Sequence, residues 1–342
     1  MTMTDVPAGG ERDEGEGEPV PLTILTGFLG AGKTTLLNRI LSSDRGLRIA
    51  VLVNDFGSVN IDAELVVGIE DNMMSLTNGC VCCEIRDDLL EAVDRLLVAS
   101  EPPDYIVLEA SGVAEPMGIY ATFADSTHRD RIRLDSVTCV VDADQIFDYI
   151  DRAPELLTLI VHQIGSADLV LLNKADLAGP ERLAWLRARI DEMMNRVRIL
   201  ETTYCDVPWD VLLSTDSSVA RLIDASDRGN THHEDHGDRF DRWTFESPER
   251  ISLPAIEEMV RRRLPGEIYR LKGFVHIAED PDHRYVLHTV GRRSEIRRHD
   301  RWGDLTPGTK LVAIGAPGRL DEAWLHDALT ECTAAPLHPS RP

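Results

Sequence analysis

The chain has 342 residues, 43% of them hydrophobic, so it can bury a sizeable core in one large domain or two. Its formal net charge of −23 repels phosphate backbones and anionic lipids, which argues against nucleic acid or a membrane surface as the main partner. No apolar run approaches the length of about 20 residues that spans a bilayer.

The N-terminus is acidic, and its composition lacks the apolar core of a signal peptide. We therefore expect residues 1–19 to form a disordered acidic tail. The cysteines do not form the paired framework of a secreted protein, which indicates a reducing compartment and predicts a cytoplasmic protein.

Short apolar runs alternate with helical patterns from residue 20 to about residue 205, within a predicted domain at residues 20–213. The runs are almost continuously apolar, as buried parallel strands are, and the alternation predicts an α/β fold with a doubly wound, mostly parallel sheet. The predicted strands are residues 22–26, 48–53, 105–109, 137–141, 169–172 and 197–200, and predicted helices include residues 34–41, 87–99 and 180–194.

The first predicted strand is followed by a phosphate-binding motif, G-x-x-x-x-G-K-[ST], which places the fold among the P-loop NTPases. Its glycines let successive backbone N–H groups surround phosphate oxygens, and the next helix adds the positive end of its dipole. We expect the lysine to contact the β and γ phosphates and the first threonine to bind Mg²⁺. The predicted nucleotide-binding residues are Gly27, Gly30, Ala31, Gly32, Lys33, Thr34 and Thr35.

The strand 105–109 ends in a second acidic motif, Glu109-Ala110-Ser111-Gly112. A carboxylate at such a strand end can hold Mg²⁺ through water or position the attacking water. We therefore predict catalytic and Mg²⁺-binding roles for Glu109, and a backbone approach of Gly112 to the γ-phosphate. The alternative is a simple charge at a strand end.

A base-reading motif, Asn173-Lys174-Ala175-Asp176, follows the predicted strand 169–172. The carboxylate of Asp176 can accept two donors, and guanine presents its ring N–H and amino group side by side, whereas adenine presents no such pair. Asn173, Lys174 and Asp176 are therefore predicted to select GTP. The alternative is a strand-end turn in which Asp176 caps a helix.

A cysteine cluster, Asn78-Gly79-Cys80-Val81-Cys82-Cys83, lies between the phosphate loop and the base-reading motif. Thiolates favour Zn²⁺, Cu⁺ and, with nitrogen or oxygen partners, Co²⁺. We predict Cys82 and Cys83 as metal ligands with Cys80 as a third, which leaves a position open, as suits a metal that must be released. The alternative is a redox-sensitive or merely buried cluster.

The alternating pattern stops at a polar segment, residues 214–240, which is predicted to be a linker. Its His232, His233 and His236 either collect a metal or belong to a solvated acidic loop. Residues 241–331 are predicted to form a smaller α+β C-terminal domain, followed by a tail at 332–342. The predicted strands of this C-terminal domain include residues 267–278, 284–290 and 310–314, and its last predicted helix covers residues 320–329.

Together these motifs resemble the CobW-like P-loop GTPase metallochaperones over roughly residues 20–330. The resemblance rests on the phosphate loop from Thr26 to Leu37, the cysteine motif, Glu109 with Ser111-Gly112, Val141-Asp142-Ala143, His162-Gln163, Leu172 to Asp176 and Tyr269-Arg270-Leu271-Lys272-Gly273-Phe274. It implies Mg²⁺-dependent GTP hydrolysis coupled to delivery of Zn²⁺ or Co²⁺ to a client metalloprotein.

The resemblance also implies a catalytic role for Asp55, in Asn54-Asp55-Phe56-Gly57, where the family often has Asn-Glu-Phe-Gly. Some members place glutamate metal ligands on either side of this motif. Here those positions are Val53 and Ser58, so these ligands do not carry over.

Other functions remain open from the residues alone. One is a P-loop switch or small-molecule kinase with a redox or structural cysteine cluster. A kinase would need an arginine-rich lid, which the loops of the predicted nucleotide domain lack, and a signalling switch would not need the three clustered cysteines. Another is a passive metal buffer, against which the intact phosphate loop argues.

Overall fold

The computed structural model describes residues 19–42, 47–54, 73–76, 84–112, 116–124, 130–194, 197–213, 240–291, 293–303 and 305–333. Residues 1–18, 214–239 and 334–342 lie outside this set. The predicted tails, the histidine linker and the domain boundaries therefore stay predictions. Asp55 and the cysteine motif at residues 78–83 also lie outside the described residues.

A seven-stranded sheet forms the first part of the chain, in the order β3-β2-β4-β1-β5-β6-β7. Each neighbouring pair is parallel. The strands are β1 (Val20–Thr26), β2 (Ile49–Asn54), β3 (Met73–Leu76), β4 (Tyr105–Glu109), β5 (Ile132–Asp142), β6 (Leu169–Asn173) and β7 (Arg198–Glu201). The predicted doubly wound α/β class is confirmed, with β1 central, and sites in such sheets form beyond the carboxyl ends of the strands.

Helices cover both faces of this sheet. Successive strand residues pack on opposite sides: Leu25 packs with Leu36 and Leu37, while Ile24 packs with Leu89 and Val93. The helices here are α1 (Lys33–Ser42), α2 (Glu84–Leu97), α3 (Pro116–Ala124), α4 (Ile146–Arg152), α5 (Leu156–Ser166), α6 (Ala175–Met193) and α7 (Trp209–Leu212). Strands β1, β2, β4, β5 and β6 are therefore apolar on both faces, which is why the sequence identifies them as buried parallel strands.

Helix α6 begins earlier than predicted. Its first residue is Ala175, and the predicted start at residue 180 corresponds to a kink where Gly179 has φ 75° and ψ 163° and Pro180 follows. Proline lacks the N–H that a continuous helix would need at this point, so the chain makes a short first turn and then restarts. That first turn carries Asp176.

A second, antiparallel sheet has the order β11-β10-β9-β12-β8, which confirms the predicted α+β unit. Its elements are β8 (Asp241–Ser247), α8 (Leu253–Glu258), a π-helical turn (Met259–Arg263), β9 (Ile268–His276), β10 (His283–Val290), β11 (Arg293–Arg301), β12 (Thr309–Gly315) and α9 (Glu322–Thr330). The side chain of Asp321 caps α9 by accepting from the Trp324 N–H at 2.9 Å, so the helix begins two residues later than predicted.

Buried charge joins the two sheets. Arg270 of β9 is fully buried, and its guanidinium donates to Asp135 of β5 at 2.5 Å and to the carbonyl oxygens of Asp210 at 3.3 Å and Val211 at 3.4 Å. The Tyr105 hydroxyl also donates to Asp135, at 2.6 Å. Because Tyr105 lies on β4, the strand that ends in Glu109, this network reaches from the second sheet into the strands that carry the candidate site.

Among the described residues, the structure contains no helix with the length and apolar character of a membrane span.

Candidate nucleotide site

The loop between β1 and α1 has a shape that requires glycine at two positions. Gly27 has φ 132°, and a Cβ there would lie 2.1 Å from the Val140 carbonyl oxygen. Gly32 has φ 115°, and a Cβ there would lie 2.4 Å from Nδ2 of Asn173. Both backbone angles lie in the region that side chains disfavour, so the motif glycines permit a tight loop packed between β5 and β6.

Lys33 lies at the first position of α1 with its side chain turned back into this loop. It is 7% exposed, and its Nζ donates to the carbonyl oxygens of Gly27 at 3.0 Å and Phe28 at 3.4 Å. The loop therefore holds a positive charge at a helix N-terminus, which is the arrangement that favours phosphate. Thr34 and Thr35 follow in the same turn, partly buried. Phosphate contacts by these residues stay predictions.

Glu109 lies beside the phosphate loop because of the strand order. Strand β4 neighbours β1, Leu25 pairs with Glu109, and the Ala110 N–H donates to the Leu25 carbonyl at 2.8 Å. Glu109 is 3% exposed. A buried carboxylate beside the Lys33 loop fits a bound divalent cation, whose charge would offset the desolvation of the carboxylate. Its predicted Mg²⁺ and catalytic roles, and that of Thr34 toward Mg²⁺, are not tested by this geometry.

The base-reading motif is tied to the phosphate loop by one side chain. Asn173 is 3% exposed, and its Nδ2 donates to the Ala31 carbonyl at 2.9 Å. Its Oδ1 accepts from the Cys205 N–H at 2.9 Å and from the Thr202 hydroxyl at 3.2 Å. These bonds use both ends of the amide to fix two loops, so the structure shows a positioning role, and the predicted base contact stays a prediction.

Lys174 and Asp176 lie on the same rim. Lys174 has the left-handed φ of 60°, and its Nζ contacts Oδ2 of Asp142 at 2.6 Å. Asp142 also accepts from the N–H groups of Asp144 at 3.1 Å and Gln145 at 3.0 Å, which ends β5 in a tight turn. Asp176 is exposed in the first turn of α6. Its carboxylate is therefore available to a ligand, as guanine selection requires.

Several residues of this site were not predicted from the sequence. Tyr204 and Cys205 have φ of 52° and 53°, an uncommon conformation for residues with side chains. Arg39 of α1 supports this turn by donating to the Tyr204 carbonyl at 2.7 Å and to Asp206 at 3.1 Å. No local sequence pattern predicts these contacts, because the partners lie more than 160 residues apart in the chain. Burial raises the pKa of Cys205 to about 12, so its thiol stays protonated.

Asp176→Asn is expected to change the nucleotide preference. The substitution places an amide donor where guanine also donates, so GTP should bind more weakly and xanthosine triphosphate more tightly. Isothermal titration with both nucleotides measures the change, and Glu181→Gln, further along the same helix, is the control. A native protein that prefers ATP would contradict the assignment of this rim to guanine.

The predicted metal ligands Cys80, Cys82 and Cys83 lie outside the described residues, as do Asp55 and the three linker histidines. Within the described residues, no group of three or more His, Cys, Asp or Glu side chains is arranged to hold a metal ion. The three described cysteines are free and buried: Cys139, Cys205 and Cys332.

Comparison with known proteins gives the family. Residues 21–201 match the family described as CobW/HypB/UreG, nucleotide-binding domain, and residues 240–333 match the cobalamin synthesis protein cobW C-terminal domain. The chain is 34% identical to the zinc chaperone CobW of Pseudomonas aeruginosa, covering 92% of each chain. It is 30% identical to the zinc chaperone CobW of a Sinorhizobium species, covering 91% of this chain and 96% of that one. It is also 30% identical to the zinc-regulated GTPase metalloprotein activator 1 of Dictyostelium discoideum, covering 85% of this chain and 70% of that one. The chain therefore belongs to the CobW/HypB/UreG family of P-loop GTPases and carries the C-terminal domain of the CobW proteins.

Proposed function

We propose that this GTPase is a metallochaperone that couples its nucleotide state to the binding and release of Zn²⁺ or Co²⁺. The observation that carries the proposal is the convergence of three features on one edge of the parallel sheet. These are the glycine loop with Lys33, the base rim with Asp176, and the start of the segment that contains the cysteine motif.

Two described elements flank the cysteine segment and support its place in this proposal. Strand β3 ends at Leu76 and α2 begins at Glu84, so the motif occupies the connection between them. Because β3 pairs in parallel with β2, and β2 with β4, its carboxyl end lies at the same edge as Glu109. This supports a metal site within reach of groups that respond to the γ-phosphate.

The nucleotide half of the proposal assigns roles to residues of the described site. Gly27, Gly30, Ala31, Gly32, Lys33, Thr34 and Thr35 would bind the phosphates together with Gly112, and Asn173, Lys174 and Asp176 the base. Mg²⁺, held by Thr34 and Glu109, would neutralise charge that develops on the phosphate oxygens. Lys33, Glu109 and Asp55 are the proposed catalytic residues.

The metal half treats Zn²⁺ or Co²⁺ as cargo bound by Cys82 and Cys83, with Cys80 as a third ligand. Zinc is favoured because the bacterial relatives are named zinc chaperones. The name of the Dictyostelium relative, a metalloprotein activator, supports a client metalloprotein as partner. Because the thiols must stay reduced to bind metal, we place the protein in the cytoplasm.

We also propose the domain division that the sequence predicts. A GTPase domain at residues 20–213 and a C-terminal domain at 241–331 would be joined by the histidine-containing linker. The described residues of the two sheets fall on either side of that linker. The acidic tail at residues 1–19 and the second tail at residues 332–342 would flank these two domains.

Cobalt absorption tests the ligands directly. We expect Co²⁺ added to the reduced full-length protein to give thiolate charge-transfer bands, because Co²⁺ bound to cysteine has such transitions. The bands should disappear in the Cys82→Ala, Cys83→Ala double variant and weaken in Cys80→Ala. Cys332→Ala, which removes a buried thiol of the second unit, should keep them. Unchanged bands in the double variant would refute the cysteine site.

A further inference from the structure

The polar side chain of Gln163, on α5, is buried, and the proposed phosphate and base contacts do not explain why. It is 1% exposed, and its neighbours Ile160 and Ile164 pack in the apolar cluster beneath β5 and β6. Burying an amide in such a place costs free energy unless it is hydrogen-bonded. Its Nε2 donates to the carbonyl oxygen of Gly112 at 3.0 Å. The buried amide is therefore satisfied, at least at Nε2, by the backbone of Gly112.

Gly112 lies against the phosphate loop. A Cβ on it would be 2.6 Å from Cδ2 of Leu29 and 3.0 Å from the Leu29 nitrogen, so this residue approaches the loop more closely than a side chain would allow. It also follows Glu109 by three positions, and Glu109 is the last residue of β4, the strand next to β1. Its backbone is thus held between α5 on one side and the phosphate loop on the other.

The hydrogen bond from Gln163 to this carbonyl further restricts the backbone of Gly112. Glycine reaches more backbone conformations than any other residue, so a glycine at a binding edge loses much freedom when it is ordered. The bond from Gln163 orders Gly112 before a ligand arrives. Removing the donor would leave a buried carbonyl without that partner, or would let Gly112 move away from Leu29.

We propose that Gln163 is a positioning residue that holds Gly112 against the phosphate loop, so that the Gly112 backbone meets the γ-phosphate and the protein distinguishes GTP from GDP. This inference rests on the proposed GTP-dependent function. GDP lacks the γ-phosphate, so its affinity should depend little on where Gly112 lies. A change at Gln163 should therefore alter the ratio of the GTP affinity to the GDP affinity, rather than lower both affinities equally.

Two variants test this role in the full-length protein. Gln163→Met keeps the length of the side chain without a donor, and Gln163→Leu supplies a shorter apolar side chain that also lacks a donor. Affinities for GTPγS and for GDP are measured by isothermal titration with Mg²⁺. We expect GTPγS to bind about five- to tenfold more weakly in both variants, as the loss of one buried hydrogen bond predicts, with GDP affinity nearly unchanged.

Ile160→Val is the matched control, because it trims the same helix in the same apolar cluster without touching Gly112. It should leave the GTPγS to GDP ratio at the wild-type value. An unchanged ratio in Gln163→Met, or an equal loss for both nucleotides, would overturn the inference and leave Gln163 as a structural residue. If Gln163→Met does not fold, Gln163→Leu decides by the same ratio. If the wild-type protein does not bind GTP, the proposed function itself is wrong. If the wild type binds GTP but the variants keep its ratio of GTPγS to GDP affinity, only this inference is wrong.

Discussion

Replacing Lys33 by methionine is expected to abolish measurable GTP turnover. The ammonium group lies inside the glycine loop, where it donates to the carbonyl oxygens of Gly27 and Phe28. In the nucleotide complex this charge would be the one that opposes the charge on the transferred phosphate. Losing one such preorganised donor lowers kcat by about 10²–10³, and the loss of a full charge at a phosphate should be at the upper end.

Phosphate release under single-turnover conditions measures the effect of Lys33→Met. Lys310→Met is the control, since Lys310 pairs with Glu246 at 3.4 Å on the second sheet, away from the loop. It should hydrolyse GTP at the wild-type rate. Hydrolysis by Lys33→Met within a factor of about three of wild type would show that the glycine loop does not hold the reacting phosphates.

Replacing Arg270 by methionine is expected to cause a large loss of stability. Asp135 is 3% exposed, and the variant removes the guanidinium that contacts its Oδ2. Breaking a buried pair by removing one partner costs about 3–5 kcal/mol, because the remaining charge stays buried. Arg133, 3.4 Å from the other carboxylate oxygen, compensates only in part. The free energy of unfolding from urea titrations measures the loss.

The Arg301→Met variant provides the control, because Arg301 is an exposed arginine of the same sheet and should change the unfolding free energy by less than about 0.5 kcal/mol. The double variant Arg270→Met, Asp135→Leu should recover part of the loss, since it removes both charges together. A single variant as stable as wild type would mean that the two sheets are held together without this pair.

The same pair predicts a dependence on pH. Burial disfavours the charge of Asp135, but Arg270 and Arg133 outweigh this cost and hold its pKa well below its usual range. A carboxyl whose folded pKa is depressed contributes stability above its unfolded pKa of about 3.9, and loses it as the pH falls toward the folded value. The contribution of Asp135 to wild-type stability should therefore be complete above about pH 4 and fall below it, so the stability gap between wild type and Arg270→Met should shrink as the pH falls through that range. A gap that grows as the pH falls would contradict this.

The parallel sheet was predictable because its strands are buried on both faces. Continuous apolar runs such as residues 105–109 are typical of strands in a parallel sheet that is covered on both sides. Two other strands were not predicted from the sequence. β3 is a four-residue strand at the sheet edge, and β11 reads Arg293-Ser294-Glu295-Ile296-Arg297-Arg298-His299-Asp300-Arg301, with a single apolar residue. Pairing with β10 holds β11 in place, and pairing partners are a tertiary property that its own residues do not reveal.

The residues of the candidate site also fall into a group that the sequence predicts and a group that it does not. Motif residues such as Lys33 and Asp176 were predictable because phosphate and guanine chemistry restrict them to a few residue types at fixed spacing. Supporting residues such as Arg39 and Thr202 were not, since any donor at the right place in space would serve. Gln163 stood in a stretch that resembles the family, but only the structure shows that its amide reaches the Gly112 carbonyl.

Zinc affinity measured in three nucleotide states is the most direct test of the coupled mechanism. A competing zinc chelator gives the Kd of the full-length protein without nucleotide, with Mg·GDP and with Mg·GTPγS. We expect zinc to bind about 5- to 150-fold more tightly with GTPγS, the range of typical coupling free energies, and linkage requires zinc to tighten GTPγS by the same factor. Equal zinc affinity in all three states would contradict the coupled mechanism, even if Cys82 and Cys83 bind the metal.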